Sequence, residues 1–244
     1  MDTKDLELKL CSDDPIYVAG VPIYPIPIRR IAQIGYMRFN SELRLLCLTE
    51  DDIKVLTGDD ASDVGVYTYL VASAVRDAEL MNALIFWLSE ITHCKVLFSQ
   101  HKIAFVTRSF EINKDNFSAI QSVIRQRNGL QGVEEEEDNP ENEAARRVLQ
   151  RRKEERLKRR KAKSLDDDES AITLSDLVSI LASGFGMTLQ EVMGYDLYQF
   201  NDQFNRLKIM DDYEVSVQAL LHGAKKEDIN FTHWLTKIKH SPED

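Results

Sequence analysis

Apolar residues recur at helical spacing in two long stretches of this chain, one on either side of a highly charged segment. In the first stretch, a single helix is predicted to begin near Ile28, because one apolar face continues from there to Leu46. The members of this face are Ile28, Ile31, Ala32, Gly35, Phe39, Leu43 and Leu46. Within the face, Gly35 either permits another backbone to approach closely or is merely tolerated.

Further helices in the first stretch are predicted from N-cap residues and apolar periodicity. Thr49 with Asp52 is a typical capping pair for a short helix, and Asp77 is a cap for a longer one. Residues 64–74 are apolar enough for a buried helix, and residues 113–128 predict the last helix of this half.

Short runs of branched and aromatic residues predict strands in the same half. Residues 16–26 predict an edge hairpin around Gly20 that continues into a proline-rich extended lead-in. Residues 95–99 and 102–106 predict a second pair of strands. The half is therefore expected to be mainly helical with short hairpins.

The second apolar stretch, after residue 170, contains only helical patterns. Capping pairs at Thr173–Asp176 and Thr188–Glu191 predict two helices. Residues 197–207 and 215–221 predict two more amphipathic stretches. A unit of this size is expected to form a small helical bundle near the lower size limit for independent stability.

The segment between the two stretches is dominated by charge. Residues 143–163 hold eleven Lys and Arg against three Glu, and acidic residues flank them on both sides. Its arginines include Arg151, Arg152, Arg156, Arg159 and Arg160. A basic helix of this kind can dock on phosphates, but it has no interleaved aromatic residues for base stacking. A solvated spacer or protein-docking element is the favoured interpretation, and a nucleic-acid adaptor remains the alternative.

These patterns predict a predominantly helical α+β protein with three parts. Residues 1–129 form the mainly helical N-terminal domain, residues 130–170 form the charged linker with its basic helix, and residues 171–244 form the C-terminal helical domain. The net charge of −10 disfavours general nucleic-acid binding. The absence of a signal peptide, of a membrane-length apolar run and of paired cysteines predicts a soluble intracellular protein.

No residue pattern specifies catalysis. The sequence has no phosphate-binding glycine loop, no histidine pair at metal-binding spacing and no converging acid, base and nucleophile. We therefore expect a protein that is not an enzyme and that has no cofactor or metal. Six aromatic residues of the C-terminal half are either core or anchors for a partner helix. They are Tyr195, Tyr198, Phe200, Phe204, Tyr213 and Trp234.

Two sequence segments resemble a family of proteins encoded beside the tape measure gene in long-tailed, siphophage-type bacteriophages. The first combines a short strand pair with a P-x-x-x-R-x-I-A-x-I-G-Y helix, and the second has the pattern Y-Q-x-x-D-Q-F-x-R-L followed by a tryptophan. The first pattern is carried by Pro25, Arg29, Ile31, Ala32, Ile34, Gly35 and Tyr36. The second is carried by Tyr198, Gln199, Asp202, Gln203, Phe204, Arg206, Leu207 and Trp234.

The resemblance implies a tail assembly chaperone. Such proteins are taken to coat the long, hydrophobic, helical tape measure protein before the tail tube polymerises around it, and then to leave. The implied partners are the tape measure protein, a second copy of this chain or a shorter form of it, and the implied location is the bacterial host cytoplasm. The alternative is a structural subunit of the tail, baseplate or a ring that stays in the virion.

Overall fold

The structure is a computed structural model, and it describes residues 3–57, 65–129, 172–223, 225 and 232–238. The predicted charged linker and its basic run lie outside the described residues. Within them the fold is α+β and predominantly helical, as the sequence predicts. The elements in chain order are α1 (Thr3–Leu10), β1 (Ile16–Val18), β2 (Val21–Ile23), α2 (Ile28–Ile34), α3 (Tyr36–Leu46), α4 (Glu50–Thr57), α5 (Val66–Arg76), α6 (Ala78–Thr92), β3 (Leu97–Ser99), β4 (Ala104–Val106), β5 (Glu111–Ile112), α7 (Phe117–Arg127), α8 (Leu174–Phe185), α9 (Leu189–Val192) and α10 (Leu197–Leu221).

Both predicted strand pairs are present as antiparallel pairs. β1 pairs with β2 through a register that places Ile16 opposite Ile23. β3 pairs with β4, with Phe98 opposite Phe105, and β4 also pairs with β5, a short third strand that the sequence did not predict.

The helix α1 was not predicted from the sequence either. Its leucines, Leu6, Leu8 and Leu10, alternate with the charged residues Glu7 and Lys9. An alternation of this kind has the period of a strand and not that of a helix, so apolar spacing gives no sign of the helix.

The predicted single helix from Ile28 to Leu46 is wrong, because it is two helices divided at Gly35. This glycine has φ 99°, far outside the helical range, and a Cβ placed there would meet no described atom within 4 Å. Backbone conformation, not close approach of another backbone, therefore explains the glycine. The helical backbone is therefore interrupted between α2 and α3, although Ile31 of α2 and Phe39 of α3 are buried in the same apolar core.

The two amphipathic stretches predicted over 197–207 and 215–221 are in fact one helix of 25 residues, α10. Four of the seven residues that separate them are charged, including Asp211 and Asp212, and none is glycine or proline. A polar, solvent-facing interruption breaks the apolar periodicity without ending a helix, because the backbone hydrogen bonds continue. Beyond Phe200 none of the described side chains of α10 is fully buried.

The predicted capping pairs in the C-terminal half are confirmed. Thr173 and Asp176 form a reciprocal capping box at the start of α8, and Thr188 and Glu191 form another at α9. In the N-terminal half, the Asp77 carboxylate accepts hydrogen bonds from the first backbone N–H groups of α6. These side chains satisfy helix N–H groups that have no intrahelical partner.

The larger of two apolar cores lies among the helices and strands of the N-terminal half. At its centre Trp87 of α6 is fully buried, with the Phe39 ring edge-on at 5.7 Å between centroids. The indole N–H donates to the Glu42 carboxylate at 2.9 Å, so the only polar atom of the tryptophan ring is satisfied. This contact fixes α3 against α6.

The smaller core joins α8, α9 and the first turns of α10, and the two cores interlock. Ile28, from the N-terminal half, is buried in the smaller core, and Tyr198, from α10, is buried in the larger one. Leu197 packs against both. The described parts of the two halves are therefore in direct apolar contact, while the domain division at 130–170 stays a prediction.

Candidate functional site

A groove lies where α3 faces the C-terminal half of the chain. Its volume is about 240 Å³, and we call it the α3–α10 groove. The apolar walls come from α3 on one side and from α8 and α10 on the other. Its lining residues are Tyr36, Phe39, Asn40, Leu43, Arg44, Asn128, Leu174, Leu177, Leu197, Phe200 and Asn201.

The α3 wall follows from helical geometry. Tyr36, Asn40, Leu43 and Arg44 are spaced so that they share one face of the helix. Phe39 and Leu43 are buried against the core, whereas Tyr36, at the start of the helix, is about half exposed. The wall is therefore anchored at its base and open to solvent at one end.

Four polar side chains lie among the apolar ones. Arg44 donates from Nε to the Asn40 side-chain oxygen at 3.1 Å. Asn128, which caps the end of α7, donates from its side-chain nitrogen to the Ile124 carbonyl at 2.7 Å. Asn201 is exposed at the rim. Among the described lining residues, Arg44 is the one with a formal charge, and the rest of the polar surface is neutral amide.

A buried ion pair lies directly beside the groove. Arg127, at the end of α7, donates to the Asp196 carboxylate at 3.1 Å, and both side chains are 1% exposed. The next residue after each partner, Asn128 and Leu197, lines the groove. The pair therefore fixes the distance between the end of α7 and the start of α10.

The segment between α1 and β1 also contacts this ion pair. The Arg127 guanidinium also donates to the backbone carbonyls of Ser12, at 3.2 Å, and Asp14, at 2.6 Å. Gln199, which forms a capping box with Asp196, reaches the Cys11 carbonyl at 3.2 Å with its side-chain nitrogen. Three chain segments that are far apart in sequence therefore meet at one polar cluster.

Desolvation dominates the electrostatics of the pair. Burial raises the pKa of Asp196, against the lowering effects of the Gln199 backbone N–H and of Arg127. The same burial lowers the pKa of Arg127, against the attraction of Asp196. In addition, the buried Arg127 Nε has no hydrogen-bond partner among the residues that the structure describes. Such a pair contributes little net stability, but removing one partner leaves an uncompensated buried charge.

Backbone hydrogen bonds also connect α2 to the C-terminal half. The N–H of Ile28 donates to the Tyr195 carbonyl at 2.8 Å, and the N–H of Arg29 donates to the Met193 carbonyl at 2.9 Å. These are N–H groups of the first turn of α2, which begins after Pro27, a residue whose side chain cannot cap a helix. The loop between α9 and α10 therefore takes the place of a cap.

Four of the six aromatic residues singled out as partner anchors pack inside the molecule to some degree. Tyr198 and Phe200 are buried, one in each core. Phe204 is half-buried and stacks on Phe200 at 6.0 Å between ring centroids. Tyr195 is half-buried, and its hydroxyl lies 3.7 Å from the Met187 sulfur. Of these four, Phe200 also lines the α3–α10 groove.

The other two lie outside both cores, Tyr213 in the second half of α10 and Trp234 in the segment 232–238. The Tyr213 ring is 5.1 Å from that of His233, and the adjacent Trp234 is 42% exposed. The carbonyls of Trp234 and Thr236 accept hydrogen bonds from Arg206, which holds this segment beside α10. The structure therefore does not bring the six aromatic residues together, and their binding role stays a prediction.

The arginines of the predicted basic run, Arg151, Arg152, Arg156, Arg159 and Arg160, lie outside the described residues. Across the described ranges there is no cluster of three or more His, Cys, Asp or Glu side chains that is arranged to hold a metal ion. None of the described helices has both the length and the apolar content needed to cross a bilayer.

The groove residues Arg44, Asn128 and Asn201 were missed by sequence reasoning. The periodicity did place Phe39 and Leu43 on an apolar face, and Leu177 on another. It carried no signal that these faces meet, because their separation in the chain exceeds 120 residues. A polar residue at the edge of an apolar face is normally solvent-facing, so nothing local marks Arg44.

Comparison with known proteins relates the C-terminal half to a phage family. Residues 161–239 match the family model described as the YomV second domain, over about a third of the chain. This family is phage-derived, YomV being a protein of a Bacillus prophage, and the similarity indicates a phage protein. Neither the curated proteins nor the solved structures gave a match. The matched range includes α8, α9 and α10, so the C-terminal wall of the groove lies within the region of similarity.

Proposed function

We propose that this chain is a non-enzymatic tail assembly chaperone that binds and solubilises the tape measure protein in the host cytoplasm. The phage-derived match over residues 161–239 supports the phage setting, and the resemblance of residues 16–48 and 198–234 supports the tail assembly role. The structural observation that carries the proposal is the α3–α10 groove.

The groove has the size and lining expected for side chains of a protein partner. Ligand pockets for small molecules and cofactors are usually larger, about 300–1,000 Å³, whereas this groove has about 240 Å³ and is open at one end. Its walls are leucine, phenylalanine and tyrosine with a polar rim. This composition is typical of a site in which an apolar side chain enters and polar groups close around it.

The groove also lacks the residue types that catalysis most often uses. Its described lining residues include no His, Cys, Ser, Thr, Lys, Asp or Glu. General acid–base and nucleophilic chemistry most often uses these residue types. This lining supports the proposal of a binding protein over that of an enzyme.

Co-expression with the tape measure protein encoded by the same phage tests the proposal. We expect the tape measure protein to be recovered in a soluble complex with the wild-type chain. Asn40→Trp, which fills the groove from the α3 wall, should reduce the recovered complex at least about fivefold. Asn82→Trp, on an exposed position of α6 that does not line the groove, is the matched control and should have no effect.

Two results would contradict the proposal. One is a tape measure protein that stays insoluble and makes no complex with the wild-type chain. The other is a wild-type chain that is retained in purified virions at a stoichiometric level, because a chaperone leaves before the particle is complete. The second result would favour the structural-subunit alternative.

A further inference from the structure

Arg44 lies in the α3–α10 groove at a position from which it can recognise a ligand. It lies in the last turn of α3, and among the described groove residues it alone has a formal charge. Its side chain is exposed, and the hydrogen bond from its Nε to the Asn40 oxygen restricts the orientation of the guanidinium. Within the described parts of the chain, the two terminal nitrogens of Arg44 form no hydrogen bond or ion pair. A guanidinium held in this way retains a planar pair of donors for a ligand.

The chemistry of that ligand follows from the fork geometry. Two parallel N–H groups of a guanidinium match the two oxygens of a carboxylate, which gives the strongest class of charge-assisted hydrogen bond. Next to Arg44 along the same wall are Leu43 and Phe39, and across from them are Leu177 and Phe200. A carboxylate at Arg44 would therefore have apolar side chains of the same ligand packed beside it.

The side-chain oxygen of Asn128, a second polar group of the groove, fits a peptide ligand. Asn128 is 6% exposed and lines the groove, and its side-chain nitrogen is already used by the Ile124 carbonyl. Its side-chain oxygen accepts no hydrogen bond from any residue that the structure describes. An unpaired carbonyl oxygen on a side chain that lines a groove is suited to an N–H donor, such as one of the unpaired N–H groups in the first turn of a helix.

We infer that the α3–α10 groove binds one face of an amphipathic helix that carries a single carboxylate, paired with Arg44, beside two or three apolar side chains. The inference rests on the proposed function, because it describes how the tape measure partner is recognised. The formal charge of −10 disfavours a partner that is acidic overall. The carboxylate is therefore expected within a segment that is otherwise neutral or basic.

Charge reversal at Arg44 tests the inference with the full chain and the tape measure protein. Arg44→Glu should weaken the complex about tenfold or more, since it removes a charge-assisted pair and adds a repulsion. Arg108→Glu makes the same charge change on an exposed residue that does not line the groove and should leave the affinity unchanged. Arg44→Lys keeps the positive charge but loses the planar pair of donors, so its affinity should lie between those of Arg44→Glu and Arg108→Glu.

A compensating change identifies the partner residue. Photo-cross-linking from position 36, at the open end of the groove, first locates the helical segment of the tape measure protein that binds there. Each Asp or Glu of that segment is then replaced by Lys, and its binding to the Arg44→Glu chain is measured. Recovery of most of the lost affinity at one position supports the inference. If the wild-type complex forms but Arg44→Glu and Arg108→Glu bind alike, the inference is wrong and the proposed function stands. If the wild-type chain forms no complex, the proposed function itself is wrong.

Discussion

Arg127 and Asp196, separated by 69 positions in sequence, form an ion pair in which both side chains are almost completely shielded from solvent. The pair joins the end of α7 to the start of α10, and the groove begins at the next residue on each side. A charge pair at this position holds the walls of the candidate site at a set distance.

Asp196→Asn tests the importance of this pair. Asparagine is as good an N-cap as aspartate, so the cap of α10 should survive, but Arg127 would be left as a buried charge without its counter-ion. We expect the free energy of unfolding to fall by about 3 kcal/mol or more. Urea denaturation measures the change.

The matched control for that variant is Asp176→Asn. It alters another aspartate of a helix-capping box, but one that is solvent-exposed, so its cost should be much smaller than that of Asp196→Asn. Equal costs for the two substitutions would show that the buried charge of Arg127 is not the reason for the loss.

Gly35→Ala tests the separation of α2 from α3. The glycine has φ 99°, which costs an L-residue about 1–3 kcal/mol, although a Cβ would meet no described atom there. We expect a loss of stability in this range from thermal or urea unfolding. Ala32→Gly, in the helical interior of α2, should cost about 1 kcal/mol, because glycine is less favourable than alanine inside a helix. A stabilised Gly35→Ala variant would mean that the two helices can merge into the single predicted one.

The Arg30–Glu90 pair should make stability depend on pH. Arg30 donates from Nε and Nη2 to the two Glu90 oxygens at 2.8 and 2.7 Å, and these hydrogen bonds lower the pKa of Glu90 from its ordinary value of 4.5. A lowered folded-state pKa adds stability that is complete above pH 4.5 and is lost as the pH falls through the folded-state value.

Glu90→Gln should therefore be less stable than the wild type at neutral pH, and the difference should disappear in acid. The expected difference is about 1 kcal/mol or less, because Arg30 is 40% exposed to solvent. Urea unfolding of both proteins between about pH 7 and pH 3 measures it. A difference that stayed constant across this range would contradict the assigned role of the pair.

Ile28→Ala tests the interlock of the two cores. Ile28 belongs to the N-terminal half, but its side chain is buried in the C-terminal core. Its truncation should cost about 2–4 kcal/mol and should increase hydrogen exchange in α8. Val21→Ala, equally buried but in the N-terminal core, should leave exchange in α8 unchanged relative to global stability. Unchanged exchange in α8 for Ile28→Ala would show that this contact does not couple the two halves.

The elements of this fold that depend on local chemistry were predictable. The boxes at Thr173 and Thr188 and the cap at Asp77 were identified because N-caps follow from neighbouring residues alone. The division at Gly35 was missed, because a glycine on an apolar face is compatible with both a continuous and an interrupted helix. The continuity of α10 was missed for the converse reason, since an exposed helix needs no apolar periodicity.

The candidate site could not be predicted in the same way. Its walls were identified as apolar faces, but the approach of α3 to α8 and α10 depends on tertiary packing that no local spacing encodes. Asp196 has the local signature of an ordinary N-cap and Arg127 that of a basic residue at a helix end. Only their proximity in the structure reveals them as a buried pair beside a groove.

Photo-cross-linking from position 36 tests the central claim most directly. Tyr36, at the open end of the groove, and Tyr17, an exposed tyrosine on β1, are each replaced by a photoreactive phenylalanine analogue, and each chain is co-expressed with the tape measure protein. We predict a cross-link to a helical segment of the tape measure protein from position 36 and none from position 17. Equal labelling from both positions, or cross-links from position 36 only to a second copy of this chain, would contradict the claim that the groove is the chaperone site.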